Sequence, residues 1–287
     1  SYNFSFSGIK SAVINLAHNE KQRGNEINKY DVVFLGVPCD YGASYRLGAK
    51  YAPRQLREYS FWDRIYGEEL YDLDHTLAKD YLAKFEYPWQ ALSGIKDLIL
   101  ELGKNLGEDY VEVKEHVWVH KSANVFESAY LGAPCIIGPE TEVRHCAFVR
   151  GSALVGANCV VGNSVELKNC ILFDNVETPH YNYVGDSILG YHSHLGAGGI
   201  TSNLKSARDN IILRRKDENY NVVEEFETGL RKIGAFMGDY VEVGCNSVLC
   251  PGTIIGPHTN VYPLSRVRGQ IAANSIFKDA SHVTLKD

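Results

Sequence analysis

Starting at Val119 and stepping by six, the chain reads Val119, Val125, Leu131, Ile137, Val143, Val149, Val155, Val161, Leu167 and Phe173. With 45% hydrophobic residues overall, an unbroken apolar series of this length is not a chance outcome. Two positions ahead of each anchor stands a residue that is usually small: Ala123, Ala129, Cys135, Thr141, Ala147, Ala153 and Cys159, then the larger Val165 and Ile171. Residues two apart on a strand share a face, so both series point into one interior. The register returns at Tyr183, Leu189, Leu195 and Thr201, and again at Met237, Val243, Leu249, Ile255, Val261 and Val267. A fixed six-residue period predicts a mainly β solenoid, a parallel β-helix in which every coil buries its neighbour's apolar edge. Glycine often follows the anchor, as at Gly138, Gly162 and Gly244, which predicts corners with unusual backbone conformations.

Between Phe173 and Tyr183 the segment DNVETPHYN (174–182) reads as four inserted residues, with Pro179 fixing a turn that displays His180. Ahead of the solenoid, Leu77, Tyr81 and Phe85, then Leu92, Ile95, Ile99 and Leu102, fall at helical spacing on either side of Pro88. Two helices are expected there, their aromatic face (Tyr81, Phe85, Trp89) capping the open end of the solenoid or packing on its side. Composition excludes several classes. A net charge of −6 without a long basic run disfavours nucleic acid, and no run approaches the roughly 18 apolar residues of a membrane span. The start lacks a basic lead and cleavage site, so a cytoplasmic protein is expected. The seven cysteines are scattered without a Cys-x-x-Cys pair, and reduced thiols are expected.

If a coil takes eighteen residues, Arg150 and Lys168 stand one above the other, each just after its anchor. Like charges at about 5 Å repel by roughly 0.8 kcal/mol in water and about 3 kcal/mol at an effective dielectric of 20. Such a corner invites an anion, a phosphate or sugar phosphate, unless the two side chains splay into solvent. His180, beside that corner, is a candidate general base, with an ordinary surface histidine as the other reading.

GNSVELKNCILFDNVETPHYNYVGDSILGYHSHLGAGGITSN (162–203) resembles the acetyltransferase half of the bifunctional N-acetylglucosamine-1-phosphate uridyltransferase/glucosamine-1-phosphate acetyltransferases. It is also similar to stand-alone solenoids described as UDP-N-acetylglucosamine pyrophosphorylase-related, over about residues 68–287. The resemblance implies a left-handed parallel β-helix, a homotrimer, and acetyl-CoA as donor to an amino-sugar phosphate. It implies Arg150 and Lys168 as a sugar-phosphate clamp, His180 as the base, and Tyr183 and Asn203 as sugar contacts. His194, a further candidate substrate contact, stands where those enzymes have an asparagine, Leu204 where they have a tyrosine, and Cys245 where a serine is expected. The alternative reading is a non-catalytic or regulatory solenoid that binds sugar nucleotides. The uridyltransferase half's Gly-rich nucleotide loop is absent; Gly42–Arg46 is similar only superficially. A third reading comes from the trimeric zinc carbonic anhydrases of the same fold: His192 and His194 both face outward, but that family's His-x4-His spacing is missing, and no metal is firmly expected.

The N-terminal residues look unlike the rest. YDVVFLGVPCDYGASYRLGAKYAPRQLREYS (30–60) resembles the opening βα unit of the agmatinase/arginase family, through Gly36, Pro38, Asp40, Gly42, Ser44, Arg46, Gly48, Pro53 and Arg57. That family's dimanganese motifs have no counterpart downstream, so guanidino hydrolysis is not supported. NFSFSGIKSAV (3–13) resembles a segment of the tRNA threonylcarbamoyl-transferase family, without its His-x-x-x-His motif. The expected organisation is a short helical fragment (1–28), a βα fragment (29–67), a helical cap (68–108) and the β-helix (109–287). A loop is inserted at about 204–230, and its Arg208, Arg214, Arg215 and Lys216 suit either an anionic donor or a solvated hairpin.

Overall fold

The computed structural model describes residues 70–216, 222–279 and 282–286. All lie in the second of two units, Ser1–Glu58 and Tyr59–Asp287. Both N-terminal fragment readings fall outside the described residues. The rest is a parallel β-helix whose coils present three strand faces. Val117–His120, Cys135–Ile137 and Ala153–Val155 open the first face; Asn124–Val125 and Glu142–Val143 open the second; Tyr130–Leu131 and Phe148–Val149 open the third. Registers are parallel from coil to coil, with Val117 beside Cys135, Asn124 beside Glu142 and Tyr130 beside Phe148, each eighteen residues on.

The first face differs from the others in a way the six-residue period does not show. Its strands are apolar at all three positions (Cys135-Ile136-Ile137, Ala153-Leu154-Val155, Cys170-Ile171-Leu172), whereas the second and third faces alternate. The middle residues Ile136, Leu154, Ile171, Ile188 and Phe236 are nonetheless fully buried. The helical layer covers this face: α1 (Lys79–Leu82), a 3-10 segment (Pro88–Gly94) and α2 (Ile95–Gly103), with Ile95 and Ile99 buried against the strands. Its polar attachments run along the coils. Tyr71 Oη donates to the Ile188 carbonyl at 3.2 Å, and Asn169 Nδ2 to the Leu92 carbonyl at 3.1 Å. Trp118 fits against α2 so closely that a Cβ at Gly103 would lie 2.3 Å from its ring. Each such buried side chain contributes on the order of 1.5–3 kcal/mol. The helices therefore pack on the side of the solenoid and do not cap its end. The open ends are closed by antiparallel strands instead, Tyr110–Lys114 on Val117–His120 and His282–Leu285 on Ser275–Asp279.

The expected four-residue insertion at 174–182 is not present. Leu167 pairs with Val149, eighteen residues back, but Cys170 pairs with Ala153, seventeen back. The seventeen-residue offset persists at Thr178 with Val161, Val184 with Leu167, and Leu172 with Leu189. One residue has been lost between Leu167 and Cys170, so the buried anchors are Leu172, Thr178 and Val184, and Tyr183 faces outward, half-buried. His180 is not on an irregular loop; it ends the strand Glu177–His180 and pairs with Asn163.

The corners also depart from expectation. Left-handed backbone falls mostly on non-glycine residues: Glu140, Asn158, Asn175, His192, Tyr240, His258 and Asn274 along one edge, and Cys146, Ser164, Tyr181, Asn246 and Leu264 along another. The glycines after the anchors serve close approach: a Cβ at Gly162 would stand 1.7 Å from the Pro179 carbonyl oxygen of the next coil.

The 204–230 insertion is a hairpin, Ile212–Lys216 antiparallel to Val222–Glu227. Ile211 and Leu213 at its base are buried against Gly252, and Phe226 lies 5.5 Å from the Tyr87 ring, which stacks on Trp89 at 4.6 Å.

Candidate functional site

The corner that joins the third face to the first is the one whose length varies. It is three residues at 132–134 and 150–152, two at 168–169 and 185–186, a long excursion over 202–234, and then 250–252 and 268–269. The two-residue version lets the strand bend through without ending, which makes Glu166–Leu172 and Tyr183–Leu189 the two seven-residue strands of the solenoid. Left-handed Asn169 and Asp186 take the turn, stacked below Ser152. Four of the predicted residues converge here: Arg150, Lys168, Tyr183 and Asn203.

Arg150 and Lys168 do stack, since the Arg150 amide donates to the Leu167 carbonyl at 2.8 Å. The corner is not an unbalanced pair of cations, however. Arg150 Nη1 donates to Glu166 Oε1 at 2.7 Å, and Lys168 Nζ to both Asp186 oxygens at 2.8 and 3.0 Å. Like-charge repulsion therefore does not by itself call for an anion here, because each cation has its own carboxylate. Asp186, which the six-residue pattern does not single out, is the hub. At 4% exposure it also accepts from Asn169 Nδ2 at 2.8 Å and from Asn203 Nδ2 at 2.6 Å. The same Asn203 amide lies 3.0 Å from the Tyr183 hydroxyl. Burial, then the charges of Asp186 and Glu166, raises the Tyr183 phenol above its usual range, so it stays protonated and able to donate.

His180 is exposed at the far end of the third face's entrance, and its ring makes no hydrogen bond among the described residues. Its backbone is fixed: the amide donates to Asn182 Oδ1 at 3.1 Å, while the buried Asn182 Nδ2 reaches the carbonyls of Leu195, Gly196 and Gly199. Asn182 occupies an inward position that is small in most coils, a signal legible only once the corrected register is known. His194 is not brought into this group. It lies on the second face with its Nδ1 3.0 Å from Glu177 Oε2, about three strand residues, roughly 10 Å, from the level of His180. His192 stacks on Tyr240, which stacks on His258 at 4.8 Å. Both histidines of the zinc reading thus have other partners, and no group of three or more His, Cys, Asp or Glu suited to a metal is present among the described residues.

Of the hairpin's cations, Arg214 pairs with Glu225 at 2.5 Å. Among the described thiols, burial pushes Cys135, Cys159 and Cys170 up to about 12, while Cys146 and Cys245 are exposed.

A coiled parallel β-helix with a lateral helical layer and a polar cluster at one corner defines a hexapeptide-repeat solenoid. Residues 134–262 match the family described as the GMPPB C-terminal domain. The chain is 29% identical over 224 residues to a bifunctional sugar-1-phosphate nucleotidylyltransferase/acetyltransferase of Sulfurisphaera tokodaii, covering 73% of this chain and 54% of that protein. It is 36% identical over 89 residues to the bifunctional protein GlmU of Methanococcus maripaludis, covering 31% of this chain and 20% of that one. The chain thus spans about half or less of these relatives. Over 31 residues the chain is 61% identical to the tRNA N6-adenosine threonylcarbamoyltransferase of Limosilactobacillus reuteri, covering 11% of this chain and 9% of that one.

Proposed function

We propose that the chain transfers an acetyl group from acetyl-CoA to the amine of an amino-sugar phosphate such as glucosamine-1-phosphate. The observation that carries this reading is the convergence of Arg150, Lys168, Tyr183 and Asn203 on one corner, in a chain related over 73% of its length to a protein named for acetyl as well as nucleotidylyl transfer. Lys168 and Arg150 hold the phosphate, with Glu166 swinging off Arg150 as the anion arrives. Tyr183 and Asn203 contact sugar hydroxyls, and the unpaired His180 ring takes the amine's proton as its lone pair attacks the thioester carbonyl. The new C–N bond replaces the broken C–S bond, and the proton passes on to the departing thiolate. His194 is not needed for this sequence: it serves as a contact of the second face, held by Glu177.

The chain is proposed to work as a homotrimer, an assembly favoured by the exposed Tyr130, Phe148 and Ile200 along the third face. Sedimentation at three times the monomer mass would support it, and a monomer at micromolar concentration would exclude it. The activity is tested with glucosamine-1-phosphate and acetyl-CoA by following free thiol. Turnover at least roughly a hundredfold above the Arg150→Ala, His180→Ala double variant is expected; equal rates would sink the proposal and leave the sugar-nucleotide-binding solenoid as the better reading.

A further inference from the structure

The residues Ser152, Asn169 and Asp186 occupy the same left-handed corner position in three successive coils. Serine and asparagine make the turn without a charge, and Gly252 takes the same place further along. The backbone therefore does not require a carboxylate at 186. Burying one is costly unless it is fully satisfied, and a corner of this kind is satisfied as well by a neutral residue. Asp186 is almost wholly buried and accepts from three side chains: Lys168, Asn169 and Asn203. Two of these are proposed acceptor contacts, and Asn203 passes the constraint on to the Tyr183 hydroxyl. Lys168 lies in Glu166–Leu172 and Asn203 two residues past Ile200–Thr201, strands that flank Tyr183–Leu189, so pairing sets where the two side chains start but not where their polar ends point. Both polar ends meet on the Asp186 carboxylate.

We propose that Asp186 is a positioning residue that sets the directions of Lys168 and Asn203 for the acceptor. It touches no reacting atom. This inference rests on the acceptor-site reading above. A long Lys side chain on a corner otherwise samples many rotamers, and an asparagine amide can turn over; anchoring both to one carboxylate removes that freedom before the acceptor arrives. Glu166 is the natural control. It lies in the same cluster and carries the same charge, but it engages Arg150 and not Lys168 or Asn203.

The test compares wild-type full chain with Asp186→Asn and Glu166→Gln. Both variants remove one negative charge, and asparagine is compatible with the left-handed position. In the chain labelled with 15N-lysine, the Lys168 ammonium, assigned with Lys168→Arg, is expected as a slowly exchanging signal in wild type and in Glu166→Gln, and lost in Asp186→Asn. Calorimetric titration with glucosamine-1-phosphate is expected to weaken at least roughly tenfold in Asp186→Asn and to tighten in Glu166→Gln, with the KM for acetyl-CoA unchanged in both. If Asp186→Asn tightens binding as Glu166→Gln does, Asp186 is merely a charge and the proposal is overturned. A Lys168 signal unaltered by Asp186→Asn overturns it equally. If wild type binds no glucosamine-1-phosphate, the acceptor reading fails, and the ammonium signal still decides whether Asp186 positions Lys168. Should Asp186→Asn fold poorly, Asp186→Glu, which keeps the charge but moves it by one methylene, is expected to retain the fold and lose the tenfold in affinity; undiminished affinity there would overturn the proposal.

Discussion

Two kinds of corner turn the same solenoid. Those at 138–141, 156–159, 173–176 and 190–193, and at 144–147, 162–165, 179–182 and 196–199, keep one length, with a left-handed residue in third place. The corner from the third face to the first shortens, lengthens and takes in a hairpin. Apart from Glu140, the left-handed places of the constant corners hold neutral or aromatic residues, including the His192, Tyr240 and His258 stack. The variable corner gathers Arg150, Lys168, Asp186 and Asn203. A turn whose length is free to change can gather several side chains on one point, whereas the fixed turns keep register and contribute to the proposed site only the single His180 at 179–182.

The sharpest way to break this contrast is to insert one alanine into each kind of corner. Between Glu140 and Thr141 it flips the strand Glu142–Val143, exposing Val143 and turning the Glu142 carboxylate inward. We expect a loss on the order of 5 kcal/mol or more and no cooperative thermal transition; a melting temperature within a few degrees of wild type would refute the distinction. Between Lys168 and Asn169 the same insertion restores the three-residue length seen at 150–152. It should cost only about 1–2 kcal/mol while misdirecting Lys168.

Close approach gives the next effect. Gly162→Ala drives a Cβ into the Pro179 carbonyl and should cost about 1–3 kcal/mol by chemical denaturation, whereas Gly107, with nothing within 4 Å, should tolerate alanine at under about 0.5 kcal/mol. The interior is probed by its thiols. Burial holds Cys135, Cys159 and Cys170 near 12, above the free-thiol value of 9.0, so the fold keeps their protons as pH rises past 9. The stability this contributes is complete below pH 9 and is lost as pH climbs through 12. A thiol reagent at pH 8 should therefore modify Cys146 and Cys245 in the native state and spare those three until unfolding; early modification of Cys159 would show an open lattice. Smallest of all is Glu177→Gln, which removes an exposed partner of His194 and should change stability by less than about 0.5 kcal/mol.

The six-residue period made the solenoid and most of its anchors legible, because each coil repeats one inward pattern. It misplaced the anchors near Phe173 and Tyr183, since a one-residue loss at a corner looks, in sequence, like a short insertion with chance apolar matches. The lateral helical layer was written in the three-residue apolar runs such as Cys135-Ile136-Ile137, which bury both sides of a strand and which a search for period six passes over. Arg150, Lys168, Tyr183 and Asn203 were legible as a group from stacking and resemblance together. Their carboxylate partners were not: Glu166 reaches Arg150 from sixteen residues away and Asp186 reaches Lys168 from eighteen. Nothing along the chain distinguishes such a hub from a solvated aspartate at a turn.

The most direct test of the variable corner as the functional one is free-thiol release from acetyl-CoA with glucosamine-1-phosphate, measured for wild type and for the alanine insertion between Lys168 and Asn169. Wild type is expected to turn over, and the insertion variant, which still unfolds cooperatively, to lose at least roughly a hundredfold in kcat/KM. Equal kcat/KM in the two proteins would contradict it.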